Sequence, residues 1–284
     1  MKSESAPDII PCSLSAETKQ RIEDFARAIE EGAHALGGHG MEREEFERSG
    51  LLRAAIERLR GRQAASMEEK RRFIAGKLDA LKAAGRIAEW RFSGGGDRHD
   101  YEVRMPDGRV CVIEAKGCLD GNNTNIFERP PHADEFYIWS LCQNPGADPR
   151  HNIWSGIHTR LGAETIHRRV QVDALIVWDM LCGSAGRPCP KLPNGRGEPP
   201  PCLYLFPRHA ADPRHNPSPP PGTLETLALA SAMFDVFGKN ERGLYQVRLE
   251  TKYEGNALMR RTTLIRGGAE ARRSRWTEIR RANR

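Results

Sequence analysis

Apolar residues recur at helical spacing in three segments of the N-terminal third of the chain. Residues 16–36 and 43–61 are predicted to form amphipathic helices, and residues 67–84 a third helix that ends at Gly85. In the third segment Ile74, Leu78 and Leu81 share one face. The first two helices make up a predicted N-terminal helical region, residues 1–65, that supplies packing or, alternatively, a DNA-reading helical module.

Beyond residue 86 the pattern changes to short runs of β-favouring residues. Residues 87–92 predict a first strand, and two more strands flank the turn formed by Pro106, Asp107 and Gly108. The second strand of this hairpin contains a continuous apolar run, Val110 to Ile113, which is typical of a central strand covered on both faces. Residues 152–169 predict a helix and residues 172–178 a buried strand. A strand, helix, strand order implies that this buried strand pairs in parallel with the strand of Ile113.

The C-terminal part of the chain begins with a proline-rich stretch. Residues 187–221 hold twelve of the nineteen prolines, so residues from about 183 to 222 are predicted to be an insertion outside sheet and helix. Only the apolar run Leu203 to Phe206 interrupts it. A helix at residues 224–237 and a hairpin that turns at Glu254, Gly255 and Asn256 are predicted to follow.

The predicted hairpin brings three chemically useful side chains together. If Met105 faces Arg109 across a three-residue turn, Asp100 lies opposite Glu114, and opposed residues project to the same face. Lys116 joins that face because side chains alternate along a strand. Two carboxylates and an ammonium group at a strand end can hold a divalent metal and orient a water molecule, which is the equipment for phosphodiester hydrolysis. An ordinary salt-bridged hairpin is the alternative.

These three residues resemble the pattern of the PD-(D/E)xK nucleases, in which an acidic residue begins one strand and Glu-x-Lys ends the next. The proline that precedes the first acid in that family is replaced here by His99. The resemblance covers residues 66 to 180 or so. It implies an α/β fold, with a restriction-endonuclease-like mixed β-sheet core flanked by helices, and a nuclease domain at residues 66–284.

The same resemblance implies a Mg²⁺-dependent endonuclease in which Mn²⁺ can substitute. Asp100, Glu114 and the backbone carbonyl of Ala115 would hold the metal ion, and Lys116 would orient or deprotonate the attacking water. The implied substrate is double-stranded DNA, which would be left with 5′-phosphate and 3′-hydroxyl ends, and a cut through both strands favours a homodimer. Such an enzyme is most like a type II restriction or defence nuclease. A catalytically inert nucleic-acid-binding protein on the same fold is the alternative.

A second Glu-x-Lys, Glu250 to Lys252, also lies in a strand-like run. Here polar residues alternate with apolar ones from Tyr245 to Tyr253, so Glu250 and Lys252 are predicted to lie on a solvated face. This pattern favours the Asp100 set as the metal site.

The charge of the chain is uneven, and the excess lies at the C-terminus. The net charge is +6, whereas residues 260–284 alone contain nine arginines and two glutamates. Such a basic tail suits phosphate contact, with Arg272, Arg273 and Arg275 as candidates. A solvated, partly frayed terminal helix is the alternative.

Residues 120–144 are both polar and aromatic, and they include Tyr137 and Trp139. This segment is predicted to leave the sheet beside the site as a loop, where it is a second candidate for nucleic-acid contact. The candidate residues in it are Asn122, Asn123 and Asn125.

Seven cysteines without a paired framework point to a reducing compartment. We found neither a signal-peptide pattern nor an apolar run of membrane-spanning length, so a cytoplasmic protein without a membrane partner is expected. Four residues around the proline-rich stretch form a candidate structural Zn²⁺ set, although their spacing matches no paired Cys-x-x-Cys knuckle. They are Cys182, Cys189, Cys202 and His209.

Overall fold

The structure, a computed structural model, has an α/β architecture with one large mixed sheet. It describes residues 66–94, 99–116, 129–141, 143–144, 172–182, 192–208, 219–238 and 243–278, with positions 15–17, 20, 21, 24 and 27. The predicted helices at 43–61 and 152–169 lie outside these residues. Of the predicted helix at 16–36, the described positions from 16 onward are helical.

Twelve strands and two helices are described. The helices are α1 (Met67–Ala83) and α2 (Ala228–Phe237). The strands are β1 (Glu89–Phe92), β2 (Tyr101–Arg104), β3 (Val110–Lys116), β4 (Glu135–Ser140), β5 (Gln143–Asn144), β6 (Ala174–Val177), β7 (Leu181–Cys182), β8 (Cys202–Leu205), β9 (Leu244–Glu254), β10 (Ala257–Arg266), β11 (Ala269–Arg273) and β12 (Thr277–Glu278). Neither described helix is long and apolar enough to cross a membrane.

Ten of these strands form one sheet in the order β1-β2-β3-β4-β6-β8-β9-β10-β11, with β12 also on β10, and β5 pairs with β7 separately. The first three strands form an antiparallel meander. Strand β4 then runs parallel to β3, and β6 runs parallel to β4. Strand β8 is antiparallel to β6 and parallel to β9, so the centre of the sheet is mixed, and antiparallel hairpins form its two ends.

Strand β4 corrects two sequence predictions. All six of its side chains are buried, so Tyr137 and Trp139 are core residues and not part of a loop exposed to nucleic acid. The strand also separates β3 from β6, so the predicted direct pairing between the strand of Ile113 and residues 172–178 is wrong. The prediction failed because the neighbouring asparagines made the whole segment look polar, whereas β4 is buried on both faces.

Helix α1 begins and ends as its sequence predicts. Ser66 and Glu69 form a capping box, in which the Ser66 hydroxyl accepts from the Glu69 amide and the Glu69 carboxylate accepts from the Ser66 amide. At the other end Gly85 has a φ of 66°, and Arg86 N–H donates to the Leu81 carbonyl. This is a Schellman ending, which requires the left-handed conformation that glycine adopts readily. The two caps fix the residues at which α1 begins and ends.

The core has one layer on each face of the sheet. On one face, Ile74, Leu78 and Leu81 of α1 pack with α2 against side chains such as Tyr101 and Ile113. On the other face, a second cluster contains Val112 and Phe136, together with residues of β9 and β10. Because successive residues of β3 alternate between these clusters, β3 is buried on both faces, as its apolar run predicts.

The N-terminus of α2 is fixed to β4 by a buried carboxylate. The Glu135 side chain accepts from the amides of Ala228 and Leu229 at 2.8 and 3.3 Å. The Tyr137 hydroxyl donates to Glu135 at 2.6 Å and accepts from the Ala230 amide. A carboxylate at a helix N-terminus satisfies backbone donors that the helix itself leaves open. These hydrogen bonds thus fix the N-terminus of α2 against β4.

The proline-rich stretch and the basic tail both contain more sheet than predicted. Strand β8 lies between β6 and β9, so residues 183–222 are not wholly outside the sheet. Prolines flank β8, which explains why this strand is only four residues long. The described part of the basic tail forms β10, β11 and β12, so the terminal-helix alternative is wrong for these residues. The predicted turn after Glu254 is confirmed.

Candidate active site

The hairpin between β2 and β3 has the predicted three-residue turn. Gly108 N–H donates to the Met105 carbonyl at 3.0 Å, and Met105 N–H donates to the Arg109 carbonyl at 2.8 Å. Gly108 has a φ of 90°, which a side chain would disfavour. The ladder pairs Tyr101 with Ile113, so the predicted register is confirmed throughout the ladder from Tyr101 to Arg104.

The register changes at Asp100, the residue immediately before β2. The Asp100 amide donates to the Ile113 carbonyl at 2.9 Å, although Ile113 is already the partner of Tyr101. Such a one-residue shift is a β-bulge, and bulges redirect side chains. The Asp100 carboxylate accepts a hydrogen bond from the Ala115 amide at 2.7 Å. Asp100 thus continues the ladder through its side chain and holds its carboxylate at the end of β3, instead of facing Glu114 directly.

The backbone carbonyl of Ala115 points to the same side of β3 as the Asp100 carboxylate. The Lys116 carbonyl accepts from Leu141 N–H, so residue 116 bonds toward β4. Backbone groups of successive residues in a strand point to opposite sides. Residue 115 therefore directs its N–H and C=O toward β2, where Asp100 lies. The carbonyl predicted to be a metal ligand is on the correct side for that role.

Glu114 and Lys116 lie at the end of β3. Glu114 is buried, with 4% of its surface exposed, and Lys116 is partly buried. The two side chains form an ion pair between Lys116 Nζ and Glu114 Oε1. They lie on one face because they are two residues apart. The ion pair therefore holds the Glu114 carboxylate and the Lys116 ammonium group together at the end of β3.

Lys70, in the first turns of α1, is a basic residue near this site that the sequence pattern did not predict. It is half-buried, and burial lowers its pKa, an effect opposed by the negative charge of Asp100 and reinforced by the positive charge of Lys116. Lys70 is therefore close to both predicted site residues. The sequence places Lys70 in the first turn of a capped helix. Its proximity to Asp100 and Lys116 follows only from the way α1 packs on the sheet.

Tyr101 adjoins Asp100 on the face that α1 covers. Burial raises the pKa of Tyr101 to about 12, and the charge of Asp100 acts in the same direction. The phenol is therefore neutral at physiological pH. Its ring packs against Trp90 and Phe92 of β1, with ring centres 6.1 and 5.4 Å away. These contacts hold the end of β2, and hence Asp100, in place.

The donor set at this strand end suits a hard divalent cation. Asp100 and Glu114 contribute carboxylates, and the Ala115 carbonyl contributes a third oxygen on the side of Asp100. Carboxylate and carbonyl oxygens are the ligands that Mg²⁺ takes, usually with several water molecules retained. The residues therefore fit the ion that the resemblance implies.

A second group of potential ligands lies close by and was not predicted. One ligand atom from each of His99, Glu102 and His132 falls within 4.8 Å of the other two. His99 and Glu102 flank Asp100 in sequence, whereas His132 comes from the turn before β4. A single sequence gives no signal that joins residues 102 and 132, because their proximity depends on the parallel pairing of β3 with β4.

The other predicted contact residues fall into two groups. Arg272 and Arg273 on β11 and Arg275 just after it are exposed, as phosphate contacts must be. The remaining predictions rest on residues that the structure does not describe, except for Cys182 in β7 and the buried Cys202 in β8. These undescribed residues are Asn122, Asn123, Asn125, Cys189 and His209.

The rival pair on β9 is not simply solvated, as the sequence suggested. Glu250 is partly buried and accepts two hydrogen bonds from Arg261 on β10, at 2.6 and 2.9 Å. These bonds hold the pKa of Glu250 below its usual range. Lys252 lies 4.7 Å from the ring centre of Trp276. The side chains of Arg261 and Trp276 therefore cover part of this face.

Searches of protein-family models, curated proteins and solved structures found no match to this chain.

Proposed function

We propose that this protein is a Mg²⁺-dependent endonuclease that hydrolyses phosphodiester bonds in DNA. One observation carries the proposal. The Asp100 carboxylate is held at the Ala115 backbone, next to the buried Glu114–Lys116 pair, at the end of a central strand. In sheets with parallel strands, the carboxyl ends of those strands are the usual place for an active site.

The order of the elements also supports the proposal. Helix α1 is followed by the antiparallel meander β1-β2-β3, and β4 then lies parallel to β3. A helix and three strands before the lysine are the order that the resemblance to PD-(D/E)xK nucleases implies. The fourth strand of that pattern was expected at residues 172–178, whereas β4 is the strand that pairs with β3. Asp100 and the Glu114–Lys116 pair are at the positions in that order where the nuclease pattern requires an acid and Glu-x-Lys.

Each residue of the site has a role in the proposed hydrolysis. Asp100, Glu114 and the Ala115 carbonyl would bind Mg²⁺, which supplies positive charge at the scissile phosphate and lowers the pKa of a bound water. Lys116 would exchange its ion pair with Glu114 for a contact with the attacking water or the phosphate. The water oxygen would bond to phosphorus and give its proton to solvent, while the bond from phosphorus to the 3′ oxygen breaks. The released 3′ oxygen would take a proton from solvent, which leaves a 3′-hydroxyl and a 5′-phosphate.

The exposed arginines of the C-terminal strands would supply affinity that does not depend on base sequence. Arg272, Arg273 and Arg275 are cations that can contact phosphates in pairs of hydrogen bonds. Double-stranded DNA is the proposed substrate, and two active sites in a homodimer would cut both strands. A type II restriction or defence nuclease combines these properties. Mn²⁺ is expected to replace Mg²⁺, since it accepts similar oxygen ligands.

Incubation with supercoiled plasmid and phage DNA in Mg²⁺, followed by mapping of the ends, tests this function. The expected result is cleavage that requires the metal and leaves 5′-phosphate ends. Intact DNA across a range of sequences and methylation states, in both Mg²⁺ and Mn²⁺, would contradict it.

A nucleic-acid-binding protein without catalysis is the second candidate. The observation in its favour is the direct contact between Lys116 and Glu114, because such a pair can also serve only to stabilise the strand end. This candidate predicts DNA binding of equal strength with and without divalent metal, and no cleavage. The nuclease predicts tighter binding in Ca²⁺, which can hold the phosphate at the two carboxylates without promoting hydrolysis.

A further inference from the structure

Three side chains from two separate parts of the chain converge beside the hairpin. His99 is buried just before β2, Glu102 is partly buried within β2, and His132 is exposed in the turn before β4. The Nε2 atom of His132 lies 3.6 Å from Glu102 Oε2, and the two imidazole ring centres are 5.6 Å apart. One side of the group is therefore buried, and the other side is open to solvent.

The turn that carries His132 is held by several hydrogen bonds. Ala133 N–H donates to the Pro130 carbonyl at 3.0 Å, which closes the turn around His132. Asp134 then joins β3 twice, since its amide donates to the Val110 carbonyl and its carboxylate accepts from the Val110 amide, both at 2.8 Å. The position of His132 therefore follows from the backbone of the turn, and does not need a bound ion to create it.

Arg91 is the ion-pair partner of the carboxylate of this group. It lies opposite Glu102 in the β1–β2 ladder and donates to Glu102 Oε2 at 2.7 Å. The Arg91 side chain is 65% exposed, so it can turn into solvent when another cation takes its place.

We propose that His99, Glu102 and His132 bind a divalent transition-metal cation of the Zn²⁺ class. Two imidazoles and one carboxylate form a ligand set that such ions take, and it differs from the all-oxygen set that Mg²⁺ prefers. With metal–ligand bonds of about 2.0–2.2 Å, donor atoms around one ion lie roughly 3–4 Å apart. A separation within 4.8 Å closes to that range through small side-chain rotations. The exposed side leaves a position for water.

This group is a donor set separate from that of Asp100, Glu114 and Ala115. Glu102 pairs with Val112, and Glu114 is two residues further along β3, so the two carboxylates are diagonal neighbours on one face. Such positions are about 7 Å apart. Two ions can therefore lie side by side, each with its own carboxylate. The proposal does not depend on the proposed nuclease function.

Zn²⁺ affinity, measured by competition with a chromogenic chelator on the full-length protein, tests this site without any substrate. Co²⁺ absorption in the visible range provides a second readout of the ligand set. The key variant is His132→Gln, since this exposed side chain can be changed without disturbing the core, with Glu102→Gln as the second variant. Each variant is expected to lower Zn²⁺ affinity by at least about tenfold. Loss of a residue that only hydrogen-bonds to a metal ligand already lowers metal affinity by about that factor.

A control variant makes the result specific. Glu250→Gln removes a carboxylate from a distant strand, so it should bind Zn²⁺ as the wild type does. Wild-type protein with no Zn²⁺ binding in the micromolar range would overturn the proposal. So would equal affinity in the wild type and His132→Gln. A protein that binds Zn²⁺ here and does not cut DNA would refute only the nuclease.

Discussion

The same three-residue pattern, Glu-x-Lys, occurs in two strands of this sheet with different surroundings. In β3, Glu114 is buried and pairs with Lys116 of its own strand, next to the Asp100 carboxylate. In β9, Glu250 instead pairs with Arg261 of the neighbouring strand, and Lys252 lies over Trp276. The sequence pattern is the same, and the first copy has the Asp100 carboxylate beside it.

The difference arises from the partners that each strand end receives. Strand β2 begins at Tyr101, so its ladder with β3 does not extend to Ala115. The Ala115 amide donates to the Asp100 carboxylate instead, and the Ala115 carbonyl lies next to it. Strand β9 continues through Glu250 in an unbroken ladder with β10, and the residue opposite Glu250 is Arg261. Two hydrogen bonds from Arg261 thus hold the Glu250 carboxylate in the ladder, whereas a backbone amide at the end of β3 holds the Asp100 carboxylate. The end of β2 is therefore what distinguishes the surroundings of the two Glu-x-Lys copies.

The largest expected effect separates the two glutamates. Glu114→Gln should lower Mg²⁺-dependent DNA cleavage by at least about 100-fold, because a neutral amide binds the ion poorly and the removal of a charged ligand costs several kcal/mol. Glu250→Gln should retain the wild-type rate. Single-turnover cleavage assays check both, with thermal unfolding as the control for folding. Similar decreases in the two variants would show that β3 and β9 are not distinct in function.

A smaller effect is expected for Lys70, which we regard as a positioning residue for Asp100. Lys70→Met should slow cleavage by about tenfold, or about 1.4 kcal/mol, because it removes a positive charge close to that carboxylate. Lys70→Arg, which keeps the charge, should recover most of the rate. The exposed Arg72 of the same helix offers a matched control, Arg72→Met, with no expected change. Failure of Lys70→Arg to restore activity would point to a packing role.

The arginines after β10 should affect DNA affinity and leave the chemistry alone. Replacing Arg272, Arg273 and Arg275 by Gln should flatten the dependence of log affinity on log salt by about 0.9 for each phosphate that the variant no longer neutralises. The substitutions keep β11, unlike a truncation, which would remove strands from the sheet. Binding to a DNA duplex in Ca²⁺ at several salt concentrations measures the slope. An unchanged slope would mean that these side chains are only solvated.

The smallest effect concerns the structural pair on β9 and β10. Glu250→Gln should lower the free energy of unfolding at pH 7 by about 0.5–1 kcal/mol, since the pair is partly exposed. Arg261 holds the pKa of Glu250 below its usual range, so this stabilisation is present above the ordinary glutamate pKa of about 4.3 and is lost as the pH falls through the lowered pKa. Urea unfolding of both proteins at pH 7 and at pH 3 would test this. A difference that grows on acidification would contradict it.

The elements that the sequence predicted well are those with local signals. The turn Pro106–Gly108 fixes the register of β2 and β3, and Ser66, Glu69 and Gly85 mark the ends of α1. The shift at Asp100 was not predicted, because it depends on where β2 begins and not on the turn. The convergence of Asp100 with Glu114 and Lys116 stays a prediction, and the structure places the Asp100 carboxylate at the Ala115 amide.

The features that were not predicted are of two kinds. Strand β4 was missed because its aromatic residues follow an asparagine-rich segment, and β8 because prolines surround it. His132 comes near Glu102 only through the pairing of β4 with β3. Lys70 comes near Asp100 only because of how α1 packs on the sheet. The last two are tertiary effects that spacing in one sequence does not encode.

The most direct test compares the two lysines, Lys116→Met and Lys252→Met. Lys116→Met should abolish most Mg²⁺-dependent cleavage while DNA binding in Ca²⁺ stays within a few-fold of the wild type, because the lysine acts on the water and the developing charge. Lys252→Met should cleave at the wild-type rate, since this lysine contacts Trp276 and Glu254. Equal cleavage by wild type and Lys116→Met would contradict the assignment of the active site to the β2–β3 hairpin.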